Sequence, residues 1–309
     1  MDTNIKKKIK AGIIGAAVGD ALGFPVQFHK RGSFPEVTGM RAGNNMPAGT
    51  WSDDTSMMLH TAMSIAETGR VSPQDIADRF LDWFFDGELT PTGYAFDIGR
   101  TVAMALARYA QTGNVLRSGL RGEYDCGNGS LMRILPLAFT ACSNEKIAMV
   151  SAITHAHDVP MRACILYIEL CRRIIECNGN TSVRKELHRI LHTPPYCNWD
   201  EWEYLNVLEH ESVANIPSTG YVKDTLAAAL WCVLNSSSYE ETVLKAVNLG
   251  DDADSVGCVA GGLAGLLYGY GVPGGIPAEW HHQLRRVEII NHVVNTFSET
   301  AENSSGIIK

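Results

Sequence analysis

Apolar residues recur three to four positions apart along nearly the whole chain, the spacing of one face of a helix. That pattern predicts helices over 57–67, 73–85, 97–111, 131–141, 144–153, 161–177, 183–191, 221–234, 239–249, 254–270 and 277–302. Ser72 followed by Pro73 reads as an N-cap and a first helical residue. No stretch alternates apolar and polar positions for long enough to suggest a parallel sheet. Loops gather at 30–50, 116–129 and 193–220, no low-complexity linker divides the chain, and no fixed-period repeat recurs. The expectation is one compact all-α domain over 1–302, with 303–309 as a frayed tail.

Two apolar runs test this picture. Lys6, Lys7, Lys8 and Lys10 precede an apolar run from Ala11, an order that imitates a signal peptide. Asp20 and the lack of a small-residue cleavage site argue against one, and the lysines read as a solvated first turn. The stretch 256–272 holds no charge and approaches membrane length before Pro273 interrupts it. Within it Gly257, Gly261, Gly265 and Gly269 recur every fourth residue, a smooth helix face suited to close packing in a crowded core.

Composition narrows the class. The 309 residues carry 26 Lys+Arg against 34 Asp+Glu, a formal charge of −8, and 45% are hydrophobic. Disorder is excluded for the bulk of the chain. An acidic balance without a basic block disfavours membrane or bare nucleic acid as primary partner. Eight cysteines, at 126, 142, 164, 171, 177, 197, 232 and 258, form no CxxC pair. They read as reduced, buried thiols in a cytoplasmic protein rather than a disulfide framework or zinc ribbon.

The acids are unusual in their grouping. Trp51-Ser52-Asp53-Asp54-Thr55 and Gly250-Asp251-Asp252-Ala253-Asp254-Ser255 both sit where a loop meets an apolar helix. Taken singly, each reads most simply as a helix N-cap. Taken together, two clusters of carboxylates and hydroxyls suggest a shared binuclear site, because adjacent like charges need a cation between them. Oxygen donors without Cys or nearby His suit Mg²⁺, Mn²⁺ or Ca²⁺ rather than zinc, and the spacing is wrong for an EF-hand. Gly127-Asn128-Gly129-Ser130, taken to open a helix, would present N–H groups to an anion, or would be an ordinary turn. Thr154-His155-Ala156-His157-Asp158 reads as polar lining of a cleft or a C-cap before a metal site. Gly12, Gly15, Gly19 and Gly23 do not match a dinucleotide loop after a strand.

With these residues in place, the chain resembles the ADP-ribosylglycohydrolases, particularly the bacterial dinitrogenase-reductase-activating type. The matching segments are 15–23, 51–57, 96–99, 127–133, 154–155, 218–221 with 227–231, and 248–255, in family order. The paired Ser-Asp-Asp-Thr and Asp-Asp-Ala-Asp-Ser signatures are the specific part. The resemblance implies an all-helical fold around a cleft with two Mg²⁺ or Mn²⁺ ions. It implies release of ADP-ribose from a modified macromolecule, arginine-linked protein foremost, by cleavage at C1″. Carried over by motif, the metal ligands are Ser52, Asp53, Asp54, Asp252, Asp254 and Ser255, with Asp251 behind them; relatives often have Thr at the two serine positions. Asp53, Asp54 and Asp252 then serve catalysis through the metals, and Asp97 faces a cationic leaving group. Gly127, Asn128, Gly129, Ser130 and His155 line the diphosphate and distal ribose, and Tyr221 stacks on adenine. One position departs: many relatives carry Glu where this chain has Gln27, which hydrogen-bonds but cannot exchange protons near neutral pH. A non-catalytic ADP-ribose binder or toxin-immunity relative is the rival reading. A two-metal phosphodiesterase is less favoured, because neither acidic cluster has an adjacent cation to steady phosphate.

Overall fold

The computed structural model describes residues 3–179 and 181–303, so of the predicted tail 303–309 only Asn303, the last residue of a helix, is described and the rest lies outside the described residues. Twelve α-helices follow one another: α1 Thr3–Gly23, α2 Asp53–Thr68, α3 Pro73–Asp86, α4 Arg100–Thr112, α5 Asn144–Ser151, α6 Asp158–Glu176, α7 Val183–Leu191, α8 Val222–Leu234, α9 Tyr239–Val247, α10 Ala253–Tyr268, α11 Ala278–Gln283 and α12 Val287–Asn303. Among the described residues there are only isolated β-bridges and no strand. The protein is all-α.

The centre is the pair α1 and α10. Glycines on both helices mesh, so that a Cβ on Gly19 would lie 1.9 Å from the Gly257 carbonyl oxygen. One on Gly261 would lie 2.3 Å from that of Gly15, and one on Gly23 would lie 2.3 Å from that of Ala253. Backbones this close leave no room for any side chain. The expected glycine face of α10 therefore forms from 257, 261 and 265, while Gly269 is instead the C-cap, at a positive φ of 80°. The glycines of α1, which match no nucleotide loop, are its counterpart. Asn4–Val26 is apolar and long enough to cross a membrane, yet its most apolar 18 residues are 89% buried in the protein, as a core helix requires.

Several boundaries differ from the sequence pattern, each for a local reason. Residues 131–141 form turns and a short 3₁₀ segment, Leu135–Phe139, because Pro136 cannot donate to a continuing α-helix. The predicted helix 277–302 breaks at 284–286, where Leu284 is extended and Arg286 is left-handed at φ 47°. There the Arg285 N–H donates to the Gly49 carbonyl and its own carbonyl accepts from Trp51 Nε1 at 2.7 Å. These contacts hold the 49–51 loop and replace helical bonds. Within the first turn of lysines Lys8 is buried, and its ammonium bonds the Leu266 carbonyl rather than water. The loop 193–220 winds into four short 3₁₀ segments. Cys177 and Cys197 are exposed, whereas Cys126, Cys164, Cys171, Cys232 and Cys258 are buried; all eight are free.

Candidate active site

The helix starts carry the acids. Ser52 is the N-cap of α2 and accepts from the Asp54 N–H at 3.3 Å, which puts Asp53 and Asp54 in the first turn. Capping is thus real, but it uses the Ser52 hydroxyl, which in turn donates to Asp54 Oδ2 at 3.2 Å, rather than either carboxylate. Asp252 occupies the cap position of α10 without a side-chain cap bond. Its Oδ2 accepts instead from Asn128 Nδ2 at 2.6 Å, and that amide also donates to Thr225 Oγ1 at 2.9 Å. Asp254 and Ser255 follow within the first turn of α10. Because the glycine seam sets the relation of α1 to α10, the acids of α10 lie against those of α2.

A cleft of about 490 Å³ opens over these helix starts, within the ~300–1,000 Å³ usual for small-molecule sites. Asp53, Asp54, Asp252 and Ser255 line its floor, with Gln27, Asp97, Gly127, Asn128, Gly129 and His155 around it. Asp97 comes from the 87–99 loop and is held in the left-handed region at φ 58°, so α4 begins at Arg100 rather than at Asp97. Ser52 and Asp254 are fully buried beneath the floor.

Three predicted residues sit differently. The Ser130 hydroxyl turns into the core, where it meets Ser151 Oγ at 2.8 Å and Cys164 Sγ at 3.5 Å. Tyr221 is half-exposed just before α8 and is not among the residues lining the cleft. The Gly-Asn-Gly segment opens no α-helix, and the Asn128 N–H donates to the Gly220 carbonyl at 3.0 Å, so that group is not free for an anion. Asn128 acts through its side chain, as the donor that fixes Asp252.

The floor is short of protons and of positive charge. Asp54 Oδ1, Asp97 Oδ2 and both oxygens of Asp254 are buried without a hydrogen-bond partner among the described residues. Among the described residues no ion pair reaches these aspartates. Burial first, and then the neighbouring carboxylates, hold Asp53, Asp54 and Asp254 well above the usual carboxyl range. Burial also raises Asp97 and Asp252, the latter against the Asn128 bond. Among the described residues no three His, Cys, Asp or Glu side chains already form a metal-ligating set.

Asp20 is the site residue that sequence reasoning missed. Fully buried on α1, it accepts from the Ser52 N–H at 3.0 Å, the Thr55 N–H at 3.1 Å and Thr55 Oγ1 at 2.5 Å. It anchors the α2 start from beneath. Burial raises its carboxyl to about 7 despite those bonds. Its signal in the sequence is an acid inside an apolar glycine-rich helix, within the matching segment 15–23. Asp251, at φ 53°, is tied to the opposite loop: its carbonyl accepts from the Phe28 N–H at 2.6 Å and its N–H donates to the His29 carbonyl at 2.8 Å.

These shifts set the pH response of the metal-free protein. A carboxyl raised on folding keeps a proton that the unfolded chain has lost. Its contribution is complete below the ordinary pKa of 3.8 and is lost as pH rises through the folded value. Burial lowers His60 to about 4 and His155 to about 3, which works in the opposite sense up to the ordinary value of 6.5. Between about pH 6.5 and 8, above the histidine range and below that of the buried thiols and Lys8, the carboxyls dominate. Scanning calorimetry in chelator is expected to show the unfolding midpoint falling between about pH 6.5 and 8, and a flat or rising profile would contradict the crowded-acid site.

Comparison with known proteins decides the family. The sequence model of "ADP-ribosylglycohydrolase" matches residues 1–306. The chain belongs to the ADP-ribosylglycohydrolase family. It is 34% identical over 284 residues to an ADP-ribosylarginine hydrolase of Pseudomonas putida (strain GB-1), covering 88% of this chain and 73% of that protein. It is 26% identical to the ADP-ribosyl-[dinitrogen reductase] glycohydrolase of Rhodospirillum rubrum, covering 91% of each. A solved structure described as an ADP-ribosylglycohydrolase-related protein complex superposes with a TM-score of 0.79 at 31% identity, over 97% of this chain and 100% of that one. The chain is thus a glycosidic hydrolase by family, and its cleft lies where both acidic signatures converge.

Proposed function

We propose that this protein removes ADP-ribose from arginine-linked, ADP-ribosylated protein by hydrolysing the bond at C1″, with two divalent cations, Mg²⁺ or Mn²⁺, in the cleft floor. The relatives named for ADP-ribosylarginine and ADP-ribosylated dinitrogen reductase support the substrate class. The observation that carries the cation reading is the set of orphaned buried oxygens. Asp254 lies within hydrogen-bonding reach of the Asp97 and Asp252 carboxyls, yet acceptors facing acceptors share nothing without a proton or a cation between them. The donor set is oxygen only, which suits hard cations. Ser52, Asp53, Asp54, Asp252, Asp254 and Ser255 would hold them. When bound, such ions supply Lewis-acid binding of sugar hydroxyls and a lowered pKa for water.

The chain's own residues do the positioning. Asn128 holds Asp252 from one side, and Asp20 holds Ser52 and Thr55 from below. Gln27 stands beside Asp97 in the cleft lining, where its amide helps to offset the rise that burial imposes on that carboxyl. Asp97, raised by burial and bearing one unpaired oxygen, is the group placed to steady a guanidinium leaving group and to exchange its proton. Gln27 cannot take that part.

The test is release of ADP-ribose from arginine-, serine- and nucleic-acid-linked substrates with Mg²⁺ or Mn²⁺ and with chelator. Turnover on the arginine linkage, lost in chelator, is the expected result. ADP-ribose binding by calorimetry without turnover on any linkage would instead make this chain a binder, the reading that Gln27 favours.

A further inference from the structure

Arg133 is fully buried, yet among the described residues it has no carboxylate partner. Its guanidinium lies 4.7 Å from the Phe80 ring centroid and is spent on neutral acceptors. Nη1 donates to the Gly129 carbonyl at 2.7 Å, and Nη2 donates to Thr154 Oγ1 at 2.9 Å. A buried cation used in this way orients groups rather than balancing charge.

The next link fixes a proton. Thr154 Oγ1 lies 2.7 Å from His155 Nδ1 and is itself completely buried. One lone pair accepts from Arg133, and the hydroxyl proton has Nδ1 as its acceptor. Among the described residues that buried proton has no other acceptor, and an Nδ1–H on the second lone pair would leave it orphaned, so Nδ1 is the unprotonated nitrogen and the ring N–H sits on Nε2. That edge of the ring faces the cleft beside the glycines. A Cβ on Gly127 would stand 3.4 Å from Nε2, and one on Gly129 would stand 2.9 Å from Cε1. Burial and the nearby Arg133 charge keep the ring neutral, at about 3. The Leu120 N–H bonds the Thr154 carbonyl at 2.9 Å and the Ala156 N–H bonds the Leu120 carbonyl at 2.8 Å, so the backbone on both sides is pinned.

We propose that Arg133 and Thr154 are positioning residues that lock His155 as a neutral Nε2–H donor aimed into the cleft, at an oxygen of the ribose–diphosphate part of the ligand. This rests on the reading of the cleft as an ADP-ribose site. The physical need is clear: the other tautomer would set a nitrogen lone pair against a ligand oxygen. A buried histidine with no such partner would divide between the two forms. The proposal also explains why Gly129 flanks the ring, since a side chain there would crowd its Cε1–Nε2 edge.

Two measurements on the full-length protein test it. In ¹⁵N-histidine-labelled protein without ligand, two-bond ¹H–¹⁵N correlations report the tautomer, with His155 assigned by its loss in His155→Gln. The expected pattern is Nε2–H, unchanged between about pH 5.5 and 8. An Nδ1–H pattern, a tautomer mixture, or an imidazolium at the acid end would overturn the proposal. By titration calorimetry with ADP-ribose, Thr154→Val is expected to bind about tenfold more weakly than wild type, and Thr154→Ser within about twofold. Wild-type affinity in Thr154→Val would also overturn it. If the wild-type protein shows the Nε2–H tautomer but binds no ADP-ribose, the relay stands and the assignment of the ligand fails.

Discussion

Asp254→Asn is expected to abolish turnover, by about a thousandfold or more, while making the metal-free protein more stable. The two effects have one cause. Asp254 is completely buried, among the described residues both its oxygens lack donors, and the charges that act on it are other carboxyls. Folding without a cation must therefore either desolvate a charge or hold a proton on it. The amide keeps the shape, removes the charge and offers two protons to Asp97 and Asp252. The ceiling on the gain is about 1.4 kcal/mol for each pH unit between the ordinary carboxyl pKa and the working pH. Denaturant unfolding in chelator, at two pH values, measures it. Mn²⁺ titration should show weaker binding and little protection of the variant by metal. A variant that turns over normally would remove Asp254 from the site, and one destabilised in chelator would show that the acid had a hydrogen-bonding role.

Asp20→Ala should act in the opposite direction on stability. It strips the acceptor from three buried donors, the Ser52 N–H, the Thr55 N–H and the Thr55 hydroxyl. Each unsatisfied buried donor costs about 1–3 kcal/mol, so a loss of about 3 kcal/mol or more is expected. Release of the α2 start should also loosen Ser52, Asp53 and Asp54, so metal affinity and turnover fall with it. Asp20→Asn keeps one acceptor oxygen and should lie between wild type and Asp20→Ala in unfolding free energy. Equal stability of all three proteins would show that the α2 start is held by its helix alone. The pair of experiments separates two kinds of buried acid: Asp254 costs stability and Asp20 provides it, although both lie at the same floor.

Much of this site could be read in the chain because its chemistry is local. Ser52-Asp53-Asp54 and Asp252-Ala253-Asp254-Ser255 are adjacent in sequence, and helix starts impose their geometry on whatever residues occupy them. Longer-range roles were less visible. Asn128 looked like part of an anion loop, yet 124 positions separate it from the aspartate it holds. Ser130 looked like its companion, and a single step along the chain turned its hydroxyl into the core. Tyr221 looked like an aromatic platform, and it stands outside the cleft lining. Helix boundaries failed where outside contacts competed, as at Arg285 with Gly49 and Trp51.

By itself the sequence determined the all-α class, the family signatures and the donor chemistry of the acids. Those depend on periodicity and on neighbouring residues, which a linear pattern records. Only the tertiary structure decided that the glycines of α1 and α10 face one another, that Asp20 lies under the α2 start, and that Arg133 reaches His155 through Thr154. The reason is physical. A side chain's role is set by which groups remain to satisfy its donors and acceptors once water is excluded, and packing between distant segments selects those groups.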